Sequence, residues 1–370
     1  MSSSLPGNKD FDLKKTAYLL VVLIATVAIL VYTQEYIVPF IIALIVWFII
    51  HELRENIQQV PFMRKYFPVW LQSTIGFIII CCVLYVVGQL LSISISSMVA
   101  KLDEYEVNFE IAMFQISSLL GIDVLSMISG ASDQTDFTQT VTTTLDYASY
   151  VLSDTFLILI YVLFLLIEES IFPKKLNAIY KSKSKYDRTQ NLFQKMDKNI
   201  SKYLSLKTFV SFLTGLFSYF AFLAFGLDAP VFWALLIFVL NYIPTIGSLI
   251  ATLFPAAFSI VQFAEFETAI YILVVVGIIQ VVIGNILEPK IMGNSLNISS
   301  LVVILSLTIW GAIWGIMGMI LSVPITVMMI IVFEEIPSLR PIAIMLSEKG
   351  DLNIEEDTGQ SEQLVTENME

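Results

Sequence analysis

The residues of this chain that could bind or gate a solute are a small set of polar, glycine, proline and tryptophan residues in its C-terminal half. They are Asn241, Pro244, Gly247, Pro255, Gln280, Asn285, Glu288, Pro289, Trp310, Gly311, Gly315, Gly318 and Pro324. Polar groups inside apolar segments are costly to bury and are usually functional. Glycine and proline interrupt helices, and the backbone groups that they free can bind a polar solute without side-chain charges.

Each of these residues also has a purely structural interpretation. Glycines such as Gly311 and Gly318 serve close packing in many membrane helices, and a proline such as Pro244 can simply kink a helix. Asn285 and Glu288 can either cap a helix at the membrane interface or contact a solute or a cation.

Motifs for common enzymatic chemistry do not occur in the sequence. It contains no Gly-x-x-x-x-Gly-Lys-Ser/Thr loop for ATP, no His-Glu-x-x-His and no Gly-x-Ser-x-Gly. The two cysteines, Cys81 and Cys82, are adjacent in an apolar run and lack the spacing of zinc ligands. We therefore expect a protein that is not an enzyme and that uses neither a cofactor nor a metal.

Composition places the chain in a membrane. Of its 370 residues 57% are hydrophobic and only 14% are charged, and several apolar runs exceed the ~18 residues that mark a span. In lipid the backbone amides of such runs must be paired within the segment, so the runs form helices. The net charge of −12 argues against nucleic acid as a partner, because phosphate binding requires a basic surface.

The distribution of basic residues predicts the topology, since basic loops stay cytoplasmic. The acidic residues between 99 and 150 predict an external segment, in which apolar residues such as Ile111 and Phe114 recur at helical spacing. We expect its helices to rest on the outer interface or on a neighbouring subunit. The predicted organisation is a cytoplasmic tail (1–13), three spans (14–98), an external amphipathic segment (99–150), a fourth span (151–167), a basic cytoplasmic helical segment (168–204), a transport core (205–346) and an acidic cytoplasmic tail (347–370).

Two apolar segments of the core are too long for simple spans. Residues 230–263 number about 34 and residues 298–333 about 36, whereas about 20 helical residues cross the hydrocarbon core. Each follows an ordinary span, so a unit of span plus broken segment occurs twice, which points to an internal repeat with a solute site between the copies. Each broken segment is either a kinked span or a re-entrant hairpin. The second form makes the units inverted copies.

Three stretches around these breaks resemble the signature of the autoinducer-2 exporter (AI-2E) family of bacterial membrane proteins, and within it the branch of autoinducer-2 exporters. They are Asn241-Tyr-Ile-Pro-Thr-Ile-Gly247, Gly284-Asn-Ile-Leu-Glu-Pro-Lys-Ile-Met-Gly293, and Leu305-Ser-Leu-Thr-Ile-Trp-Gly311 with its continuation to Pro324. The resemblance implies an all-α polytopic protein of the cytoplasmic membrane, with about eight membrane-embedded segments and a homopentameric assembly. Some members are described as Na⁺(Li⁺)/H⁺ antiporters.

Three functional hypotheses follow. The first is export of a small, polar, uncharged solute, with autoinducer-2 as the candidate that the resemblance implies. The second is Na⁺(Li⁺)/H⁺ antiport through Glu288 and Asn285. The third is a scaffold or regulator that does not transport and that binds its partners through the basic helix 177–204 and the acidic tail.

Overall fold

The computed structural model describes residues 13–58, 68–120, 155–180, 182–292 and 297–350, and nearly all of these residues are helical. The tail 1–12, residues 121–154 with most of the external segment and the start of the fourth span, and most of the acidic tail lie outside these ranges. The helices are α1 (Leu13–Tyr32), α2 (Gln34–Gln58), α3 (Val69–Val99), α4 (Leu102–Leu120), α5 (Thr155–Ile179), α6 (Lys183–Phe225), α7 (Pro230–Leu240), α8 (Ile246–Phe263), α9 (Phe266–Gln280), α10 (Glu288–Met292), α11 (Ser300–Glu335) and α12 (Arg340–Leu346).

Seven helical stretches within the described ranges are long and apolar enough to cross a membrane. α6 joins the predicted basic segment and the predicted fifth span into one helix of 43 residues. α9 and α10 also form one rod, because a π-helical segment, Val281–Leu287, connects them. When α1 is added and each of the two hairpins described next is taken as one segment, the described residues form eight membrane-embedded segments, as expected for an all-α polytopic protein.

The first over-long segment is a re-entrant hairpin, here called hairpin 1, with α7 and α8 as its arms. The chain reverses between Leu240 and Ile246. Both open ends lie together, because Gln262 at the end of α8 donates to the Gly226 carbonyl and accepts from the Asp228 amide before α7. A kinked span would hold these ends on opposite sides of the membrane.

The second over-long segment is also a hairpin, hairpin 2, formed by α11 alone. The helix breaks at Trp314 and Gly315, whose backbone dihedral angles are not helical. Across the break, Ser306 Oγ lies 2.9 Å from the Ser322 carbonyl oxygen. Sixteen residues of straight helix would separate these groups by about 24 Å, so the two arms run back along each other.

The two hairpins open toward opposite ends of α6. The open end of hairpin 1 lies near Gly226, at the C-terminal end of α6. The open end of hairpin 2 lies near the N-terminal half of α6, where Glu334 accepts from Lys195 at 2.8 Å and Glu335 from Arg188 at 2.9 Å. α9 runs antiparallel to α6, and hairpin 2 follows it. The two units of span plus hairpin are therefore inverted relative to each other.

Two prolines that the sequence suggested as interruptions lie inside continuous helix. Pro255 is buried in α8, which runs through it from Ile246 to Phe263. Pro324 is buried in the second arm of hairpin 2. Proline removes one backbone hydrogen bond, but neighbouring helices tolerate this in a membrane protein. The interruptions lie instead at 241–245 and 314–315.

The described part of the external segment packs on the same chain. In α4 the buried residues include Tyr105 and Ala112, and the Tyr105 ring contacts the Phe258 ring of hairpin 1 at 5.2 Å. Ile111 and Phe114, the apolar face that the helical spacing indicated, are 43% and 74% exposed. This face is therefore open to lipid or to a second copy, and its contact with either stays a prediction.

Candidate functional site

A stripe of polar and small side chains follows the C-terminal half of α6. Lys207, Ser211, Thr214 and Ser218 recur every three or four residues, and all four are buried. The opposite face carries phenylalanines that are more than half exposed, as expected for lipid contact: Phe209, Phe212, Phe217 and Phe220. The stripe, here called the polar stripe, therefore faces the protein interior.

Hairpin 1 lies against the polar stripe. Gly215 allows close contact with α7, because a Cβ atom there would lie 2.9 Å from the Ala234 carbonyl oxygen. Asn241, which follows the last residue of α7, is 6% exposed and donates from Nδ2 to Ser211 Oγ at 3.0 Å. The interruption in the hairpin thus places a polar amide against a polar position of α6.

A buried ion pair lies one turn before Ser211. Lys207 Nζ is 2.6 Å from Glu288 Oε1, and the Lys207 side chain is only 7% exposed. Neither charge could be held at this depth without the other. The pair joins α6 to α10, the short helix that follows the π-helical segment.

The tips of the two hairpins are built alike. Thr245 and Gly315 both have positive φ, 59° and 61°. Each is followed within three residues by a buried glycine, Gly247 or Gly318. A Cβ atom on either glycine would lie 1.8 Å from a carbonyl oxygen near the end of the first arm, Leu240 in one case and Trp310 in the other. Only glycine allows the arms to approach so closely.

The tip of hairpin 1 is also strained. The Ile246 amide donates to the Pro244 carbonyl at 2.6 Å, which closes a three-residue turn around Thr245. Turns of this type are rare, and positive φ is unfavourable for a β-branched residue. Such strain persists where the surrounding structure enforces it, commonly at functional sites.

Sequence reasoning did not predict the π-helical segment, although Gly284 and Asn285, two residues of the resembling stretch, lie within it. π-Helical turns often occur at functional sites. Here the segment lies between Gln280, which is 8% exposed, and Glu288. Asn285 and Pro289 are exposed on the surface of the single chain.

The structure brings some of the predicted residues together and separates others. Asn241, Gln280 and Glu288 lie around α6, and Gly247 is at the same hairpin tip as Asn241. Trp310, Gly311, Gly315 and Gly318 form the tip of hairpin 2, where a Cβ on Gly311 would lie 3.0 Å from Met319 Cγ. The roles of these residues in binding or gating stay a prediction.

Sequence reasoning missed the polar stripe, including Lys207. The periodicity of Lys207, Ser211, Thr214 and Ser218 within an apolar run was the available signal. It also missed a charged cluster around His51. His51 lies 3.2 Å from Glu169 of α5 and 3.1 Å from Asp197 of α6. This cluster links the first spans to the core.

These features define a class: a multi-pass α-helical membrane protein whose core holds two re-entrant hairpins of opposite orientation. The sequence profile of the family described as "AI-2E family transporter" matches residues 20–338 of this chain. The chain therefore belongs to the AI-2E transporter family, a family of transporters of the inner membrane.

Bacterial relatives align over most of the chain. It is 34% identical to the AI-2 transport protein TqsA of Escherichia coli (strain K12), over 88% of this chain and 92% of that protein. It is 29% identical to a Haemophilus influenzae protein named "Putative transport protein", over 86% of this chain and 91% of that protein. A Borreliella burgdorferi protein of the same name is 37% identical over 50% of this chain and 51% of its own length.

Proposed function

We propose that this protein exports a small, polar, uncharged solute across the bacterial cytoplasmic membrane, with the quorum-sensing signal autoinducer-2 as the leading candidate. The observation that carries the proposal is the pair of inverted hairpins, each of which is interrupted at its tip. Leu307 of hairpin 2 belongs to the same buried cluster as Leu240 and Ile243 at the tip of hairpin 1. Interrupted helices in an inverted repeat are typical of solute sites in transporters.

The choice of an uncharged solute follows from the charges at the site. Within the described residues of the core, Glu288 is already neutralised by Lys207. This pairing leaves neither side chain free to favour an anionic or a cationic substrate. The antiport hypothesis requires Glu288 to bind a cation, and Lys207 occupies that place. The choice of autoinducer-2 draws its support from the resemblance to TqsA.

Transport by the purified protein tests the proposal directly. We expect proteoliposomes that contain the full-length protein to move labelled autoinducer-2 faster than protein-free liposomes, with and without imposed ion gradients. A rate equal to that of protein-free liposomes under every gradient would refute autoinducer-2 as the substrate. Sodium-linked proton flux, measured with a pH-sensitive dye, would favour the antiport hypothesis instead.

We propose further that both termini are cytoplasmic and that the chains assemble as homopentamers, as the family resemblance implies. The basic residues of the N-terminal half of α6 support the first point. Hairpin 1 then opens to the outside and hairpin 2 to the cytoplasm.

Cysteine labelling tests this orientation. In a background with Cys81 and Cys82 replaced by serine, we expect Glu265→Cys, at the open end of hairpin 1, to react with a membrane-impermeant maleimide in intact cells. Ser338→Cys, after hairpin 2, should react only once the membrane is permeabilised. Both positions are exposed in the structure. Labelling of both from the same side would contradict the inverted arrangement.

A further inference from the structure

Two buried polar side chains of the core, one of them on the polar stripe, have no hydrogen-bond partner among the residues that the structure describes. Gln280 is 8% exposed and Ser218 is fully buried, yet neither Gln280 Nε2 nor Ser218 Oγ has a partner. A buried donor without a partner costs free energy comparable to a lost hydrogen bond, so such groups are rare in native proteins. Their occurrence on neighbouring helices of the core calls for a ligand.

The position of Gln280 follows from the packing of α9. One turn earlier, Val276 belongs to the same buried cluster as Phe222 of α6 and Ala251 of α8. The buried face of α9 therefore lies between α6 and hairpin 1, and Gln280 is on that face. The hydrogen bond from Asn241 to Ser211 joins the same two elements.

The chemistry of these groups selects the class of ligand. The amides of Gln280 and Asn241 and the hydroxyls of Ser211 and Ser218 are neutral donors and acceptors. The neighbouring charges, Lys207 and Glu288, are bound to each other. A solute hydroxyl can accept from an amide N–H and donate to a carbonyl or hydroxyl oxygen, so it matches this set better than an ion does.

We infer that Gln280, together with the Ser211–Asn241 pair, forms a hydrogen-bonding site for the hydroxyl groups of an uncharged solute, and that Gln280 determines specificity there. The inference rests on the proposed transport function, which it extends from the fold to a particular side chain. Ser218 lies further along α6 toward the open end of hairpin 1 and provides the next hydroxyl on the path.

A single substitution separates this role from a structural one. In the full-length protein, Gln280→Leu keeps the size of the side chain and removes the unpaired amide. We expect its transport of labelled autoinducer-2 in proteoliposomes to fall about tenfold, the size of one lost hydrogen bond. We expect its thermal unfolding midpoint in detergent to equal or exceed that of the unmodified protein, because no internal hydrogen bond is lost.

Gln72→Leu provides the matched control, since Gln72 is a second buried glutamine, 3% exposed, in α3 and outside the site. It should leave the transport rate per folded protein unchanged. The inference is overturned if Gln280→Leu lowers the unfolding midpoint by several degrees while the transport rate per folded protein stays the same. That outcome would assign the amide to the packing of the protein, with an internal water as its partner.

A binding measurement distinguishes failure of this inference from failure of the proposal that autoinducer-2 is the substrate. If the unmodified protein moves no autoinducer-2, that substrate is refuted, and the site is then tested with D-ribose as a neutral, hydroxyl-rich probe. We expect D-ribose at millimolar concentration to raise the unfolding midpoint of the unmodified protein and of Gln72→Leu, but not of Gln280→Leu. No increase with either autoinducer-2 or D-ribose would overturn the inference.

Discussion

Glu288→Gln should destabilise the protein more than any other substitution of a single polar side chain in the core. It leaves the Lys207 ammonium buried without its partner, which is 2.6 Å away in the structure. Removing one member of a buried ion pair costs about 3–5 kcal/mol. The loss is measured as a lower thermal unfolding midpoint of the purified protein in detergent, beside the unmodified protein.

The double variant Lys207→Met with Glu288→Leu distinguishes the loss of the whole ion pair from the loss of one of its charges. Replacing both charges by apolar groups of similar size is often neutral or stabilising, so we expect the midpoint to recover. Lys175→Met is the matched control, because Lys175 pairs with Glu168 on an exposed surface, at 57% and 45% side-chain exposure. A surface pair is worth at most about 1 kcal/mol. If Lys175→Met and Glu288→Gln lowered the unfolding midpoint equally, the burial of the Lys207–Glu288 pair would make no contribution to stability.

Transport by these variants bears on the second hypothesis. If Glu288 binds a cation, the double variant loses sodium-linked proton flux in everted vesicles. If Glu288 only neutralises Lys207, the stable double variant retains its solute transport. The double variant therefore distinguishes a role of Glu288 in cation binding from its role in stabilising Lys207.

Segment length was the part of the sequence that predicted the fold best. A helix rises 1.5 Å per residue, so about 34 or 36 apolar residues cannot cross the membrane once as a simple span. Segment length alone does not distinguish a kink from a hairpin, because both satisfy the backbone equally well. That choice depends on contacts between distant residues, such as Ser306 with Ser322.

Pro244 and Gly315 lie at the interruptions, as predicted, and the nearby glycines Gly247 and Gly318 allow the arms to approach closely. Gly247 and Gly318 lie against carbonyl oxygens of the opposite arm. Pro255 and Pro324 lie inside helices, since a proline costs only one hydrogen bond that neighbouring helices can replace. Local residue type does not distinguish the two situations, because the difference lies in the packing partner.

The polar stripe was not predicted for a different reason. Lys207 follows a series of lysines on a basic helix, and charge counting groups it with them. It is buried because α6 continues without interruption into the membrane and because Glu288, 81 positions later, lies against it. A pairing of this kind is set by tertiary structure, and the sequence shows only the two charges.

Gly247→Ala should abolish transport, since the tip of hairpin 1 has no room for a methyl group. The added Cβ atom would lie 1.8 Å from the Leu240 carbonyl oxygen and 2.8 Å from its carbon, and both are backbone atoms that cannot rotate away. The arms must separate, which moves Asn241 from Ser211. Overpacking of this kind costs about 3 kcal/mol, and we expect solute transport in proteoliposomes to fall to the rate of protein-free liposomes.

Gly277→Ala is the matched control for this effect, because a Cβ atom at Gly277 meets nothing within 4 Å and alanine is the better helix former. It should leave both the unfolding midpoint and the transport rate intact. Gly318→Ala, at the corresponding position of hairpin 2, should reproduce the loss, since its Cβ atom would lie 1.8 Å from the Trp310 carbonyl oxygen. Full transport by Gly247→Ala would mean that the closed tip of hairpin 1 is not needed, and the proposal that the hairpin pair carries the transport function would fail with it.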